Sequence, residues 1–276
     1  DDSQFNKISN SVIHHSNHGI KVQGGSASSI INNTFTDNSQ GLLVYSAEDV
    51  IISNNTFNNN LKAVETDSSI DVTIRGNTFS NNSSDDYEAI IIRSSEDITV
   101  HDNILQNNSV GVRINGGSSD IILYNNTIEY HLNYGFYIEN LESSVFSNNI
   151  IKMNSQAFEI RNSNSVTFIS NTFVSNDYSY STIYGYSGTN TLESNTFDDT
   201  GIAIEGADQI LESNTIINSP EYGVKIHRNS YDNKLFNNTI SNSDEKDIFV
   251  GGLFNQTNNI GYNNTFSTIE VESNGE

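Results

Sequence analysis

Cysteine is absent, which excludes disulfides and thiolate metal sites without fixing the compartment. Tryptophan is also absent, and Pro220 is the single proline. Basic residues are scarce, with 12 Lys plus Arg against 34 Asp plus Glu and a formal net charge of −22. Such a surface disfavours nucleic acid and anionic lipid as partners. No apolar run approaches the roughly 18 to 20 residues of a membrane span, so no membrane insertion is expected. No signal peptide is recognisable, and the chain reads as a mature protein or a fragment. Polarity of this order is compatible with disorder. The apolar residues argue against it, because they recur at fixed places.

What is present is one short phrase, repeated about every 22 to 24 residues. Asn33-Thr34-Phe35 is followed by Gly41-Leu42-Leu43-Val44, and Asn77-Thr78-Phe79 by Ala89-Ile90-Ile91-Ile92. A fixed period of this size marks a solenoid. Aligned on the Asn of the phrase, the anchors run from Asn10, Asn33 and Asn55 to Asn238 and Asn264, giving about twelve coils. Apolar residues lie three and five places before most anchors, as in Val72 and Ile74. That alternation marks a strand with one buried face. A second strand carries the apolar residue two places after the anchor, and a third reads small–apolar–X–apolar. With no helical period anywhere, the expected fold is all-β: a right-handed parallel β-helix with three short strands per coil, forming one domain over residues 1–276.

Stacked coils set like residues about 4.8 Å apart. Inward Asn side chains can then bond from coil to coil. A second such column follows five residues after the anchor, from Asn38, Asn60 and Asn82 to Asn176. The same abundance of Asn creates sequons. Asn32, Asn54, Asn82, Asn107, Asn125, Asn237, Asn255 and Asn263 are the glycosylation candidates, with Asn81 beside them. They arise equally well as by-products of the repeat, and their use would imply an extracellular location.

These phrases resemble the parallel β-helix repeat of pectate-lyase-like enzymes, NosD-like copper-maturation proteins and many bacterial and archaeal surface proteins. The resemblance covers essentially the whole chain and implies the fold more than an activity. The Arg-x-x-Pro-x-x-Arg motif of pectate lyases is absent, as are Gly-His-Gly and Asn-Thr-Asp of polygalacturonases and Asp-Pro-His of alginate epimerases. A secreted or cell-surface location, as a mature protein or a fragment of a longer surface protein, is the corresponding expectation.

The third strand offers two outward columns. One is aligned as Lys21, Leu43, Glu65, Ile91, Arg113, Tyr137, Glu159, Tyr184, Ala203, Lys225 and Phe249. The other is Gln23, Tyr45, Asp67, Arg93, Asn115, Glu139, Arg161, Tyr186, Glu205, His227 and Gly251. They hold five of the 12 basic residues and four of the 13 tyrosines, far more than an even spread gives. Small residues such as Gly41, Ala63 and Gly111 are expected to leave a shallow trough beside them. Tyr rings suit sugar faces, and Arg suits uronate or sulfate. The expected partner is therefore an extended, acidic polysaccharide. Arg93, Arg113, Asn115, Tyr137, Tyr186, Glu205 and Lys225 are the binding candidates. The bland alternative is that strand faces favour Tyr and Arg–Glu pairs such as Arg161 with Glu139.

Catalytic candidates are Glu159, Glu139, Arg161, Tyr184 and His227. Glu139 and Glu159 sit one coil and two residues apart, a Cα diagonal of about 8 Å. That is compatible with the roughly 6.5–9.5 Å carboxyl separation of inverting glycosidases. Arg161 is placed to keep one carboxylate ionised. The competing chemistry is β-elimination, with Arg113 or Arg161 on the uronate and Tyr137, Tyr184 or His227 moving the proton. No cofactor is called for. His14, His15 and His18 crowd the first coil, but consecutive residues on a strand face opposite ways, so turn histidines are a better reading than a metal site. His131 stands in place of a ladder Asn. A non-catalytic stalk, surface-layer or adhesive role competes with all of this. Open β-helix ends expose unpaired strand edges, which suggests end-to-end self-association or further domains.

Overall fold

The computed structural model describes residues 6–82, 88–185, 188–228, 230–251 and 259–271. Among them there is no helix, and none is long and apolar enough to cross a membrane. The chain winds into three parallel sheets of 12, 11 and 12 strands, each strand pairing with its counterpart one coil away. The first sheet holds the strands before each anchor, such as Ile70–Arg75; the second holds the three-residue strands such as Thr78–Ser80. In the third most strands are six residues long, including Gln40–Tyr45, Tyr134–Glu139 and Gln156–Arg161. The single-file core is apolar and stacked. Phe35 lies on Phe57 and Phe57 on Phe79, with ring centroids 4.6 and 5.0 Å apart and planes nearly parallel.

Two Asn ladders hold the corners. Asn126 Oδ1 accepts from Asn103 N and Nδ2, both at 3.0 Å, and its own Nδ2 donates to Asn149 Oδ1 at 3.0 Å and Val100 O at 3.0 Å. Each Asn thus satisfies turn backbone that would otherwise be buried without partners. The residue before each ladder Asn takes left-handed backbone, as at Asn32 (φ 57°), Asn54 (φ 56°) and Asn125 (φ 55°). Asn, Asp and Gly tolerate that conformation best. The Asn-Asn-Thr sequon is therefore an outward left-handed turn residue, an inward ladder residue and the first residue of a strand.

Several expectations need correction. Asn10 is the left-handed turn residue of its coil (φ 54°), and Ser11 fills the ladder place, donating its backbone N–H to Asn33 Oδ1 at 3.0 Å. Asn82 cannot carry a glycan in this fold: it is fully buried, and its Nδ2 donates to Asn108 Oδ1 at 2.9 Å and Phe57 O at 3.1 Å. Asn32, Asn54, Asn81, Asn107, Asn125, Asn237 and Asn263 are exposed. Asn255 lies outside the described residues. The small residues line no trough. A Cβ on Gly41 would come within 2.7 Å of Ala63 O, and one on Gly111 within 2.6 Å of Gly135 O, so tight coil packing demands them. His14 and His15 do not diverge. His15 is a left-handed turn residue (φ 54°), which brings the two Nδ1 atoms to 2.8 Å. His18 instead donates to Gln40 Oε1 at 2.8 Å. Among the described residues, no group of three His, Asp or Glu is placed to hold a metal.

Candidate functional site

The third sheet arranges its outward residues in the two predicted columns, with one shift. Glu159 pairs with Thr182, and Arg161 pairs with Tyr184, so Tyr184 belongs to the second column between Arg161 and Glu205. The cause is local. Ile183 pairs with Ile160, which leaves Ser181, fully buried, in the inward place that Ile202 holds one coil later. Tyr186 lies outside the described residues.

Each arginine of the face already has a carboxylate. Arg93 Nη1 lies 3.2 Å from Glu65 Oε1, and Lys62 Nζ lies 3.0 Å from the other oxygen. Arg113 Nε–H donates to Glu88, and Arg161 Nε–H donates to Glu159. The pair predicted between Arg161 and Glu139 does not form; Arg161 turns to Glu159 on its own strand. All three glutamates are about 5% exposed or less, because the side chains of flanking coils close over them. Burial raises the Glu88 carboxyl, and Arg113 opposes that. Arg161 is held more firmly protonated by its bond to Glu159.

Tyrosines interleave with the cations. The Arg113 guanidinium lies 4.5 Å from the Tyr137 ring centroid, and that of Arg161 lies between Tyr137 (5.9 Å) and Tyr184 (5.2 Å). Lys21 sits over Tyr45, and Lys225 over Tyr180 and Tyr222. Further along, His227 Nδ1 is 3.3 Å from Glu205 Oε1; burial lowers the His227 pKa while Glu205 opposes the shift. Asn115 accepts a long bond from Arg93 Nε at 3.5 Å.

Beside Glu159 the face opens into a cleft of about 320 Å3. Tyr134, Tyr180 and Tyr184 wall it, Tyr178 stands at its edge, and Asn133, Ser155, Gln156 and Thr182 complete the lining. The Tyr134 hydroxyl donates to Glu159 Oε2 at 3.3 Å. Burial, then the Glu159 charge, pushes the Tyr134 pKa up to about 12. Burial also raises Tyr184 and Tyr180, the latter donating to Glu221 Oε2 at 2.7 Å. The cleft thus offers hydroxyls, two side-chain amides and ring faces, with one carboxylate opposed by one guanidinium.

Glu139 and Glu159 keep their diagonal relation, since Tyr137 pairs with Glu159 and Glu139 with Arg161. Tyr137, Glu159, Arg161 and Tyr184 are brought together. Arg93 and Asn115 lie on earlier coils of the same face, while Glu205, Lys225 and His227 lie on later ones. Tyr134, Gln156, Tyr180 and Glu88 were missed. All but Tyr180 fall in the column that opens each third strand, where Gln40, Lys62 and Val110 also stand. Its run of long polar and aromatic residues was the available signal.

The protein has the same fold as several solved structures. It is similar to the A-module of the Azotobacter vinelandii mannuronan C-5 epimerase AlgE4, at 12% identity and TM-score 0.64, over 96% of this chain and 79% of that one. It is similar to DFA-IIIase from Arthrobacter chlorophenolicus A6, at 12% identity and TM-score 0.64, over 86% and 78%. It is also similar to PfbA, a surface adhesin of Streptococcus pneumoniae, at 13% identity and TM-score 0.60, over 97% and 82%. At such identities these likenesses speak to the fold alone. No curated protein matches the sequence. The family described as "Right handed beta helix region" matches residues 1–128 and 83–197, and the chain belongs to that family.

Proposed function

We propose that the protein binds an extended glycan along its third sheet, outside the cell or at its surface, with one sugar ring seated in the cleft over Glu159. The observation that carries this reading is the tyrosine-walled cleft of about 320 Å3, set in a row of stacked tyrosines and cations. Its size lies at the lower end of small-molecule sites, which suits a single ring. Tyr137, Tyr180 and Tyr184 supply ring faces, and Gln156, Thr182 and the Arg161 Nη groups supply hydrogen bonds. The neighbours in fold include enzymes named for carbohydrate chemistry and a surface adhesin, which supports a carbohydrate-related or adhesive role.

A glycan array followed by titration calorimetry tests it. Binding weakened at least about tenfold by Tyr184→Ala supports the reading. Absence of any glycan ligand overturns it in favour of a structural or adhesive role through protein contacts.

A second reading, glycoside cleavage, is favoured by the Glu139–Glu159 diagonal beside the cleft. Here Glu159→Gln and Glu139→Gln each abolish turnover of the bound glycan while leaving its affinity within a few-fold. Unchanged turnover in both variants sinks this chemistry.

A further inference from the structure

The charge layout of this face points away from the acidic polysaccharide that its arginine content suggests. Of the five cations in the two outward columns, all three arginines are matched by glutamates. Glu65 alone takes two cations, Arg93 and Lys62. Lys21 and Lys225 lie against tyrosine rings instead. In the cleft itself the formal charge cancels: Glu159 is the one charged lining residue, and Arg161 is bonded to it. The tyrosines are kept neutral at physiological pH, since burial drives Tyr134, Tyr180 and Tyr184 upward.

A uronate or sulfate entering the cleft would compete with Glu159 for Arg161. It would lie within contact range of the Glu159 charge and inside the field of a chain with net charge −22. A neutral sugar meets none of these costs. Its hydroxyls can accept from the Arg161 Nη groups, which the bond through Nε leaves available, and can donate to the Glu159 oxygens. Its apolar face can lie on Tyr180 or Tyr184.

We infer that the cleft over Glu159 selects an uncharged sugar residue, and that the three arginines act as fixed hydrogen-bond donors rather than as a cationic track. This rests on the glycan-binding reading above and narrows it to a ligand class.

The test compares neutral hexosans and pentosans with polyuronates and sulfated glycans on one array, then titrates the hits from roughly 0.05 to 0.5 M NaCl. The expected result is binding of a neutral glycan, weakened at least about tenfold by Tyr184→Ala and changed less than about twofold by salt. Binding of a polyuronate or sulfated glycan alone, lost with salt and with Arg161→Gln, overturns the inference while leaving the glycan-binding reading standing. Binding of neither class overturns both.

Discussion

Arg161 donates its Nε–H to Glu159, two residues earlier on the same strand and the same face, and the hydroxyl of Tyr134 approaches Glu159 at 3.3 Å. The Glu159 side chain is 6% exposed and that of Arg161 45%. The carboxylate is therefore the partner that depends on the pair. Removing one member of a buried pair costs more than removing both. Arg161→Ala is expected to lower stability by about 2 kcal/mol, less than for a fully enclosed pair because Arg161 is half in water. Glu159→Gln keeps one acceptor oxygen for the Arg161 Nε–H and puts an NH2 donor where the Tyr134 hydroxyl can turn to accept, so it should cost under about 1 kcal/mol. The double variant should recover most of the loss. Urea unfolding midpoints measure all three; strictly additive costs would mean that the two side chains are not coupled.

The ladder predicts a sharper contrast within one phrase. Asn126 accepts two bonds from Asn103 and donates to Val100 O, Tyr124 O and Asn149 Oδ1. Asn126→Ala strands several of these groups in the interior and should cost about 3 kcal/mol or more. Thr127→Ala, the next residue, removes an outward side chain and should stay within about 0.5 kcal/mol. Thermal unfolding of the two variants checks this. Equal effects would show that the ladder Asn contributes no more than a surface residue.

The ladders were legible because Asn recurs at a fixed interval from an inward apolar residue, and only a stacked turn gives that spacing a physical role. The register around Tyr184 was not. Its coil lacks the usual inward apolar residue and places Ser181 there, so the small–apolar–X–apolar pattern matched two residues too far along, at Tyr184 instead of Thr182. The matching of arginines to glutamates was also hidden. Period-two alternation assigns Glu65, Ile91 and Glu159 to the outer face, yet they are 5%, 1% and 5% exposed, because long side chains of adjacent coils lean across them. Burial of that kind depends on neighbours about one period away, which alternation along a single strand does not report.

Two turn residues on the coils that carry the cleft depart from the pattern that the other coils follow. The left-handed column after the second sheet is polar at Asp37, Asn59, Asn81, Asn107, Asp199, Asn218 and Asn242, but carries Tyr130 (φ 58°) and Met153 (φ 54°) between them. Both are exposed, at 48% and 45%, so little packing offsets the backbone preference. Met153→Asn should stabilise the protein by about 0.5 to 1 kcal/mol, since a short polar side chain accommodates this conformation better. Tyr130→Asn should act in the same direction. A rise in the unfolding midpoint checks both; a fall would mean that these side chains make stabilising contacts that outweigh the strain.

His131 should make stability depend on acid. It replaces Asn in the second ladder, fully enclosed, with Nδ1 accepting from Asn108 N at 3.1 Å and Nε2 left without a partner. Burial pushes its pKa down from 6.5 to about 3. In the unfolded chain the ring takes a proton near pH 6.5, while in the fold it stays neutral until about pH 3. The unfolded state therefore binds more protons throughout that window. Stability is full above pH 6.5 and falls as pH drops towards 3, by up to about 1.4 kcal/mol per pH unit from this group. His131→Asn restores the ladder residue found at Asn108 and Asn154, and it removes the orphaned ring nitrogen. It should raise stability at pH 5 more than at pH 8. Unfolding midpoints at the two pH values decide the matter, because an equal gain at both would place the acid sensitivity elsewhere.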